Sequence, residues 1–424
     1  MVNLSIRASG RSLTETVLRE ALQQSLAGRR LSRVLLLPPD MTRLHSYAGK
    51  ITALYYEMLR DTCRVDILPA IGTHDPMSAA ECAEFFGPDI PGEAFLAHDW
   101  RGGVVKVGQV PGEFVEKVSE GLLDYPIDIE INRCLLDPAY DLIISIGQVV
   151  PHEVAGMANY SKNILVGCGG PASINRTHFL GAVYGMERLM GRDHSPVRQV
   201  FDYAEEHFLK NLPLVYVLTV TTVAGSQVNL EGLFIGRSRS LFENAVALSQ
   251  ERNLIFLDRA PRKVVTWLDE REFKSTWVGN KAIYRTRMAI ADGGELLILA
   301  PGVRKFGEDP AISRLVEKYG YVGRNRILEA YKANDDLRQN LSAAAHLIHG
   351  SSDGRFAITY AVTHLTRQQI EGVGFRHMPL AEALARYDPQ HLDDGCNTLP
   401  DGEEIYFIRN PAVGLWADRK RFRN

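Results

Sequence analysis

Two groups of residues that could do chemistry each follow an apolar run. In Asp40-Met41-Thr42-Arg43, the arginine can form a forked pair with a carboxylate or phosphate, and Asp40 can orient a neighbouring side chain. Gly72-Thr73-His74-Asp75-Pro76 contains His74, and histidine is a residue type that can serve as a general base near neutral pH. Both groups also have a structural interpretation, because aspartates at strand ends often cap helices and loop histidines are often solvated.

Two further segments follow in the chain. Residues 151–162 (PHEVAGMANYSK) contain His152 and end on Lys162, and Gly167-Cys168-Gly169-Gly170 comes shortly afterwards. The glycines permit close backbone approach, which suits a phosphate cradle, although the segment matches neither GxGxxG nor the P-loop. Lys162 could anchor an anion, carry a covalent group, or be solvated.

His178 ends the run Asn175-Arg176-Thr177-His178. An imidazole can bind zinc, copper, iron or nickel, but a single histidine does not specify a metal. It could equally be a core residue, because Phe179 and Leu180 follow it. The remaining histidines form no HExxH or HxH group, so a zinc site built from protein ligands alone is poorly supported.

The elements that must position these residues alternate between short apolar runs and helical periodicity. Strands are predicted at residues 33–37, 65–71 and 141–146, and helices at residues 50–60 and 78–86. This alternation favours a parallel sheet flanked by helices. Each strand leads into a polar, turn-forming segment. In open α/β sheets the site lies at the carboxyl ends of the strands, so these segments are expected to meet there.

A second domain is indicated by the chain length of 424 residues and by a restart of the same rhythm. After a helix predicted at residues 238–252, strands are predicted at 253–258 and 295–299, with a helix at 281–291 between them. The expected architecture is two α/β domains with mainly parallel sheets, residues 1–253 and 254–424, and an active site in the cleft between them.

Composition excludes several classes of function. The net charge of −3 carries no basic footprint, which argues against nucleic acid as a partner. The N-terminal residues lack a signal-peptide core, and no apolar run approaches the roughly 18 residues of a membrane span. An odd number of cysteines without CxxC pairing favours reduced thiols. We therefore expect a cytoplasmic protein without a membrane partner. The cysteines are Cys63, Cys82, Cys134, Cys168 and Cys396.

The order and spacing of these motifs resemble the lactate racemase family. D-x-T-R is followed by G-T-H, then by P-H-x-x-A-G, a lysine and a histidine. Lys162 follows His152 by 10 residues, and His178 follows Lys162 by 16, as in that family. In the second domain, the segment from Trp277 to Lys281 (WVGNK) resembles a family segment that carries a substrate-side lysine.

The resemblance implies a nickel-pincer nucleotide as cofactor. Lys162 would hold the pyridinium nucleotide through a thioamide, and Asp40, Gly169 and Gly170 are assigned to the same cofactor. Nickel would be bound by two sulfurs and a ring carbon of the cofactor, with His178 completing a roughly square-planar set, a geometry that suits Ni(II). Partners would include the enzymes that make this cofactor.

The resemblance also implies inversion of the C2 centre of a 2-hydroxyacid by proton-coupled hydride transfer. The α-proton of such an acid is barely acidic, so removal of hydride to an electron sink is the easier route. His74 and His152 would act as acid and base on opposite sides of C2. The residues assigned to the substrate are Arg43 and Lys281, which would anchor its carboxylate, together with Trp277 and Tyr160.

The sequence departs from the family pattern at two places. Ala158-Asn159-Tyr160-Ser161 stands where the family usually has Ser-Gly-Gly, and Trp277-Val278 stands where a tyrosine–glutamine pair is common. We therefore do not assume lactate as the substrate. The polar groups of Asn159 and Tyr160 leave room for a longer, polyhydroxylated acid such as an aldonate.

Two other classes of function remain open from the residues. A conventional metal hydrolase predicts zinc and hydrolytic turnover, and the absence of zinc-type spacing argues against it. A non-catalytic protein that binds a nucleotide or a sugar acid is favoured by the altered loop. Retention of His74, His152, Lys162 and His178 together counts against it, because binding alone does not require all four.

Overall fold

The structure, a computed structural model, describes residues 3–224, 227–412 and 414–423. The chain divides into two compact units. The first unit comprises Met1–Leu180 and Leu189–Asn253, and the second comprises Gly181–Arg188 and Leu254–Asn424. No helix in the described ranges is both long enough and apolar enough to cross a membrane.

Strands and helices alternate through the first 253 residues. The strands are β1 (Leu4–Arg7), β2 (Arg33–Leu37), β3 (Arg64–Ile67), β4 (Val104–Val110), β5 (Ile127–Asn132), β6 (Leu142–Gln148), β7 (Pro151–His152), β8 (Gly156–Met157), β9 (Leu214–Ala224) and β10 (Gln227–Gly236). The helices are α1 (Glu15–Leu26), α2 (Ala48–Leu59), α3 (Ala79–Phe86), α4 (Gly112–Val118), α5 (Pro171–Tyr184), α6 (Met186–Leu189), α7 (Pro196–His207) and α8 (Arg239–Asn253). Short 3-10 helices lie at Met41–Ser46, Gly92–Ala94 and Arg133–Leu136, and a π-helical turn lies at Asn163–Gly167.

The main sheet of the first unit has the strand order β1-β10-β9-β6-β2-β3. Strands β9, β6, β2 and β3 are parallel, whereas at one edge β10 is antiparallel to β9 and β1 is antiparallel to β10. The predicted strands at 33–37, 65–71 and 141–146 correspond to β2, β3 and β6. The antiparallel edge was not predicted.

Strand β2 shows why these runs are almost continuously apolar. Leu35 and Leu37 belong to the apolar core on one face of the sheet, while Val34 and Leu36 belong to the core on the other face. Successive side chains of a strand point to opposite faces, so a strand covered on both sides needs apolar residues at every position.

Strand β3 ends at Ile67, four residues earlier than predicted, although its pairing with β2 continues irregularly. The Ala70 N–H donates to the carbonyl of Pro38 at 2.7 Å, and Pro39 bridges Ala70 in parallel fashion. Prolines have no N–H to donate, so the regular ladder cannot extend through this stretch. The two chains nevertheless stay side by side beyond the sheet.

The second unit is built on a sheet of order β15-β14-β13-β12-β17-β16, in which only β16 is antiparallel to its neighbour. The strands of the whole second unit are β11 (Leu254–Leu257), β12 (Lys263–Trp267), β13 (Glu295–Leu299), β14 (Ala357–Val362), β15 (Arg376–Pro379), β16 (Gly395–Thr398), β17 (Glu404–Ile408) and β18 (Leu415–Asp418). Its helices are α9 (Thr276–Gly279), α10 (Lys281–Thr286), α11 (Pro310–Tyr319), α12 (Arg324–Ala333), α13 (Asp335–Gln339), α14 (Leu341–His349), α15 (Arg367–Gly372), α16 (Leu380–Arg386) and α17 (Arg419–Arg423).

The predicted α/β class with mainly parallel sheets is confirmed. Two predicted elements of the second unit differ in detail. The helix predicted at 281–291 ends at Thr286, and the strand predicted at 253–258 is β11, which pairs with β18 in a separate two-stranded sheet.

Candidate active site

Three of the predicted polar segments follow neighbouring strands of the first sheet. His74 comes after β3, Asp40 and Arg43 come after β2, and His152 comes after β6. Strand β2 lies between β3 and β6, and all three strands are parallel. The segments therefore leave the same edge of the sheet, with the two histidines on either side of the segment that carries Asp40 and Arg43.

Asp40 and His74 form a hydrogen-bonded pair. Nδ1 of His74 lies 2.6 Å from Oδ2 of the buried Asp40, and Oδ1 of Asp40 accepts the N–H and hydroxyl of Thr42 at 3.0 and 2.5 Å. Burial acts to raise the pKa of the Asp40 carboxyl, but these hydrogen bonds hold that pKa below its ordinary value. An ionised carboxylate can only accept, so in the neutral ring of His74 the proton is on Nδ1 and Nε2 presents a lone pair.

His152 is held in a different way. Its buried ring accepts the backbone N–H of Val154 at Nδ1, at 3.1 Å, and that of Ala155 at 3.4 Å. In the neutral ring the proton is therefore on Nε2, which lies 4.0 Å from a carboxylate oxygen of Glu153. His74 thus presents a lone pair at Nε2, whereas His152 presents an N–H.

Lys162 is half-buried and directly precedes the π-helical turn Asn163–Gly167. Burial, and next the positive charge of Arg43, lower the pKa of its amine to about 7, while the charge of Glu153 acts in the opposite direction. A lysine with such a pKa has a large neutral fraction near pH 7, and the neutral amine is the nucleophilic form. Single turns of π-helix, such as this one, are frequent at functional sites.

The turn after Lys162 is tied to the sheet by Asn163. Its side-chain amide donates to the carbonyl of Leu37, at the end of β2, at 3.0 Å and to the hydroxyl of Ser145, in β6, at 2.9 Å. Both bonds are buried. They fix the position of the lysine segment relative to β2 and β6, the strands that precede Asp40 and His152 in the chain.

The loop before Lys162 is held by Arg198 of α7. The guanidinium is fully buried and donates to the hydroxyl of Ser161 at 3.0 Å, and to the carbonyls of Met157 at 2.8 Å and Asn159 at 3.1 Å. Sequence reasoning gave Arg198 no role. The sequence feature that could have indicated this role is an arginine on the mainly apolar face of an amphipathic helix.

Tyr160 was assigned to the substrate, and the structure directs it into the apolar core. Its ring lies 4.3 Å from that of Tyr216 and 5.1 Å from that of Phe242, measured between centroids. Its hydroxyl donates to the carbonyl of Arg237 at 2.8 Å. These contacts account for the residue structurally, and its contact with substrate stays a prediction.

Gly169 and Gly170 lie in tight packing. A Cβ at Gly169 would meet the carbonyl oxygen of Leu165 at 2.1 Å, and a Cβ at Gly170 would meet a carboxylate oxygen of Glu130 at 2.3 Å. The same Glu130 oxygen accepts the N–H of Ala172 in the first turn of α5 at 3.0 Å. Packing therefore accounts for both glycines without a bound phosphate, and their contact with a cofactor stays a prediction.

His178 lies on α5 and is half-buried. Its Nδ1 lies 2.7 Å from the carbonyl of Ile174, which can only accept, so Nδ1 carries the proton and Nε2 is available as a metal ligand. Burial, followed by the charge of Lys162, lowers the pKa of the ring to about 4. The ring is therefore neutral at physiological pH, the state that metal binding requires.

In the second unit, Trp277 stacks on the buried His346 with ring centroids 4.1 Å apart. His346 is itself held between the hydroxyls of Tyr284 at 3.0 Å and Tyr321 at 2.8 Å. Nζ of Lys281 lies 3.7 Å from a carboxylate oxygen of Glu272. The assignments of Trp277 and Lys281 to the substrate stay predictions.

Comparison with known proteins bears on the first unit most directly. The family model described as the lactate racemase N-terminal domain matches residues 6–189. Residues 6–189 are therefore similar to the N-terminal domain of lactate racemases. Every candidate residue of the first unit lies within this match, whereas Trp277 and Lys281 lie outside it.

Individual known proteins are also similar to this chain. The lactate racemase of Thermoanaerobacterium thermosaccharolyticum is 24% identical over 305 residues, which cover 68% of this chain and 65% of that protein. A crystal structure of a protein from Thermotoga maritima shares the fold with a TM-score of 0.82 and 23% identity, over 96% of this chain and 99% of that one. The lactate racemase apoprotein from T. thermosaccharolyticum has a TM-score of 0.68 and 17% identity, over 98% and 100% of the two chains.

The position of the lysine loop should depend on Arg198. We expect Arg198→Met to lower the free energy of unfolding by about 3 kcal/mol, as is typical when a partner is removed from a buried charged network. Amide hydrogens at residues 157–162 should exchange faster in mass-spectrometric hydrogen exchange, while those of β6 keep their wild-type rates. Arg60→Met, at an exposed position, serves as the control and should change stability by at most about 0.5 kcal/mol. Wild-type exchange at 157–162 in Arg198→Met would contradict the role of Arg198.

Proposed function

We propose that this chain is a racemase or epimerase that inverts the C2 centre of a 2-hydroxyacid and uses a nickel-pincer nucleotide. The observation that carries the proposal is the arrangement at the carboxyl edge of the first sheet. Two histidines flank the segment with Asp40 and Arg43, and Lys162 experiences the charges of both. The similarity of residues 6–189 to the lactate racemase N-terminal domain supports the same activity.

The donor groups of the first unit fit the proposed cofactor. Lys162 has the reactive amine that a covalent tether requires, and His178 has a neutral ring with Nε2 available for nickel. Lys162 would hold the nucleotide and His178 would bind its metal. When bound, this group supplies the electron sink that accepts hydride from C2.

His74 is arranged to accept the proton of the substrate hydroxyl. The lone pair on its Nε2 is the receiving position, and Asp40 keeps the ring oriented through the 2.6 Å bond to Nδ1. The ionised carboxylate also stabilises the positive charge that the ring gains. His74 is therefore the base in one direction of the reaction.

His152 serves the opposite face. In the arrangement described, its Nε2 bears a proton, because Nδ1 is occupied by two backbone N–H groups. To accept a proton at Nε2, the ring must first release this one or turn over. The two directions of the reaction therefore begin from unequal states, although a full inversion requires both histidines.

Arg43 is the cation of this unit that we assign to the substrate carboxylate. The substrate class stays at 2-hydroxyacids. The hydroxyl of Tyr160 is engaged by the carbonyl of Arg237, and the side-chain oxygen of Asn159 accepts the N–H of Tyr160 at 2.6 Å. Since both polar groups are engaged locally, the loop gives no reason to prefer a polyhydroxylated acid to a short one.

No observation favours the two alternative classes. Among the described residues, the one group of three side chains that could hold a metal is Asp193, His194 and Glu243, which contains none of the candidate histidines. Arg239 already pairs with Asp193 at 2.7 Å and with Glu243 at 3.6 Å. The altered loop, which favoured a non-catalytic binding protein, has a structural basis in Arg198.

Mass spectrometry can test the covalent tether at Lys162. Protein co-expressed with the cofactor-making enzymes should carry nickel and a nucleotide adduct on the peptide that contains Lys162. Lys162→Ala should lose both, because it removes the attachment point, as checked by intact mass, peptide mapping and metal analysis. Lys106→Ala, an exposed lysine paired with Asp128, is the control and should keep both. An active, nickel-loaded protein with an unmodified Lys162 would refute the tether.

The metal is tested separately. His178→Ala should lose or loosen nickel while the adduct on Lys162 and the fold remain, because one ligand is removed from a site that the cofactor mainly builds. His207→Ala, an exposed histidine of the same unit, should keep its nickel. Spectroscopic evidence that nickel is bound by the thiolate of Cys168 instead would show that the assignment is wrong.

The two histidines should be separable by half-reactions. Replacing either His74 or His152 should reduce steady-state inversion by about 10²–10⁴-fold, the usual contribution of a general acid or base. In a single turnover each variant should still react with one stereoisomer, and the preferred stereoisomer should differ between the two variants. Rapid-quench analysis with each isomer provides the measurement. Near wild-type inversion in both variants would rule out the two-base mechanism.

A further inference from the structure

The second unit contains a cavity of about 240 Å³ whose walls are rich in arginine. We call it the arginine cavity. Arg188, Arg287, Arg324 and Arg355 line it, and the two carboxylates among its lining residues are Glu187 and Asp353. Four guanidinium groups therefore line this cavity together with two carboxylates.

Both carboxylates are already engaged by the buried Arg287. Its guanidinium donates to Glu187 at 2.9 Å, to Asp353 at 2.9 Å and to the carbonyl of Ser351 at 3.1 Å. Arg355 also lies 3.5 Å from Glu187 and 3.4 Å from Asp292. Arg287 and Arg355 are therefore each paired with carboxylates.

Arg324 is the arginine whose charge has no partner among the described residues. Its backbone N–H donates to Asp353 at 2.8 Å, but its guanidinium makes no hydrogen bond or ion pair there, and its Nε is buried without an acceptor. A guanidinium without a partner is costly to bury even in part, and an anion bound beside it would reduce that cost.

Arg188 and Arg324 both have side-chain atoms near Gly185. A Cβ at Gly185, which has a φ of +108°, would lie 3.8 Å from Nη1 of Arg324 and 3.9 Å from Cδ of Arg188. Arg188 stacks on the ring of Tyr184 at 3.9 Å and donates to its hydroxyl at 3.0 Å. The guanidinium of Arg324 and the aliphatic part of Arg188 thus both lie close to a residue that has no side chain.

We propose that the arginine cavity binds a phosphate group, either as inorganic phosphate or as the phosphomonoester of a small molecule. Guanidinium groups recognise phosphate oxygens with paired hydrogen bonds, and the guanidinium of Arg324, which has no partner among the described residues, is available to an anion. The volume lies below the roughly 300–1,000 Å³ of pockets that hold drug-sized ligands, which suits a small anion. All lining residues belong to the second unit, whereas Lys162 and His178 belong to the first.

Titration of the cofactor-free protein with inorganic phosphate at constant ionic strength tests the proposal. Calorimetry should show saturable binding, and Arg324→Gln should weaken it by at least about tenfold, as expected for the loss of a charged hydrogen-bond donor. Arg326→Gln is the matched control, since Arg326 is an exposed arginine of the same helix outside the lining, and it should change the affinity by less than about twofold. Wild-type affinity in Arg324→Gln would overturn the proposal.

Three further arms assign the site and the ligand. Lys162→Ala should bind phosphate as the wild type does, and loss of binding in that variant would move the site to the first unit and overturn the proposal. Arg188→Gln, at an exposed position, should weaken binding in the same direction as Arg324→Gln and replaces that variant if it fails to fold. Glycerol phosphate binding more tightly than phosphate indicates a phosphomonoester, and the reverse indicates the free ion. Tighter binding of malonate than of either would refute a phosphate site.

Discussion

Parallel pairing of β2 with β3 on one side and β6 on the other is the constraint on which the candidate site depends. It forces three chain segments to leave the sheet at one edge, in a fixed lateral order. The prolines after β2 then end the regular ladder without separating the chains, because a hydrogen bond from Ala70 to Pro38 continues the pairing. Asp40 and His74 can therefore meet at 2.6 Å although 34 residues separate them in sequence.

The charges collected at this edge explain why so many side chains there are tied to one another. A buried charge without a partner costs several kcal/mol, so buried ionisable groups are either paired or neutral. Asp40 is paired, and its hydrogen bonds with His74 and Thr42 keep the carboxylate charged. Lys162 instead tends to be neutral, because burial and the positive charge of the nearby Arg43 lower the pKa of its amine. One edge of the sheet thus holds a stable carboxylate and a reactive amine.

Local sequence patterns predicted what local forces decide. The runs at 33–37 and 295–299 coincide with β2 and β13, because strands covered on both faces are continuously apolar. The polar segments at the carboxyl ends of β2, β3 and β6 could be placed at one edge by the same reasoning. Both interpretations of Asp40 proved compatible, since one oxygen caps the turn at Thr42 while the other holds His74.

What could not be predicted depends on contacts between distant parts of the chain. Nothing near Gly170 in sequence shows that Glu130 packs against it, and nothing near Tyr160 shows that its hydroxyl meets the carbonyl of Arg237, 77 residues later. The antiparallel β1 and β10 are likewise defined by pairing rather than by their own composition. Residue type alone therefore suggested a ligand contact for Gly170 and Tyr160, where packing supplies a sufficient reason.

The altered loop before Lys162 shows how a departure from a family pattern can be accommodated. Asn159 and Tyr160 have φ values of +66° and +58°, a left-handed conformation that glycine adopts freely. For a residue such as Tyr160 this costs about 1–2 kcal/mol, and for asparagine less. Each hydrogen bond from a charged donor contributes about 1.5–3 kcal/mol, and Arg198 makes three in this loop. The hydrogen bonds therefore help to offset the strain, so the loop can hold this conformation without glycine at positions 159 and 160.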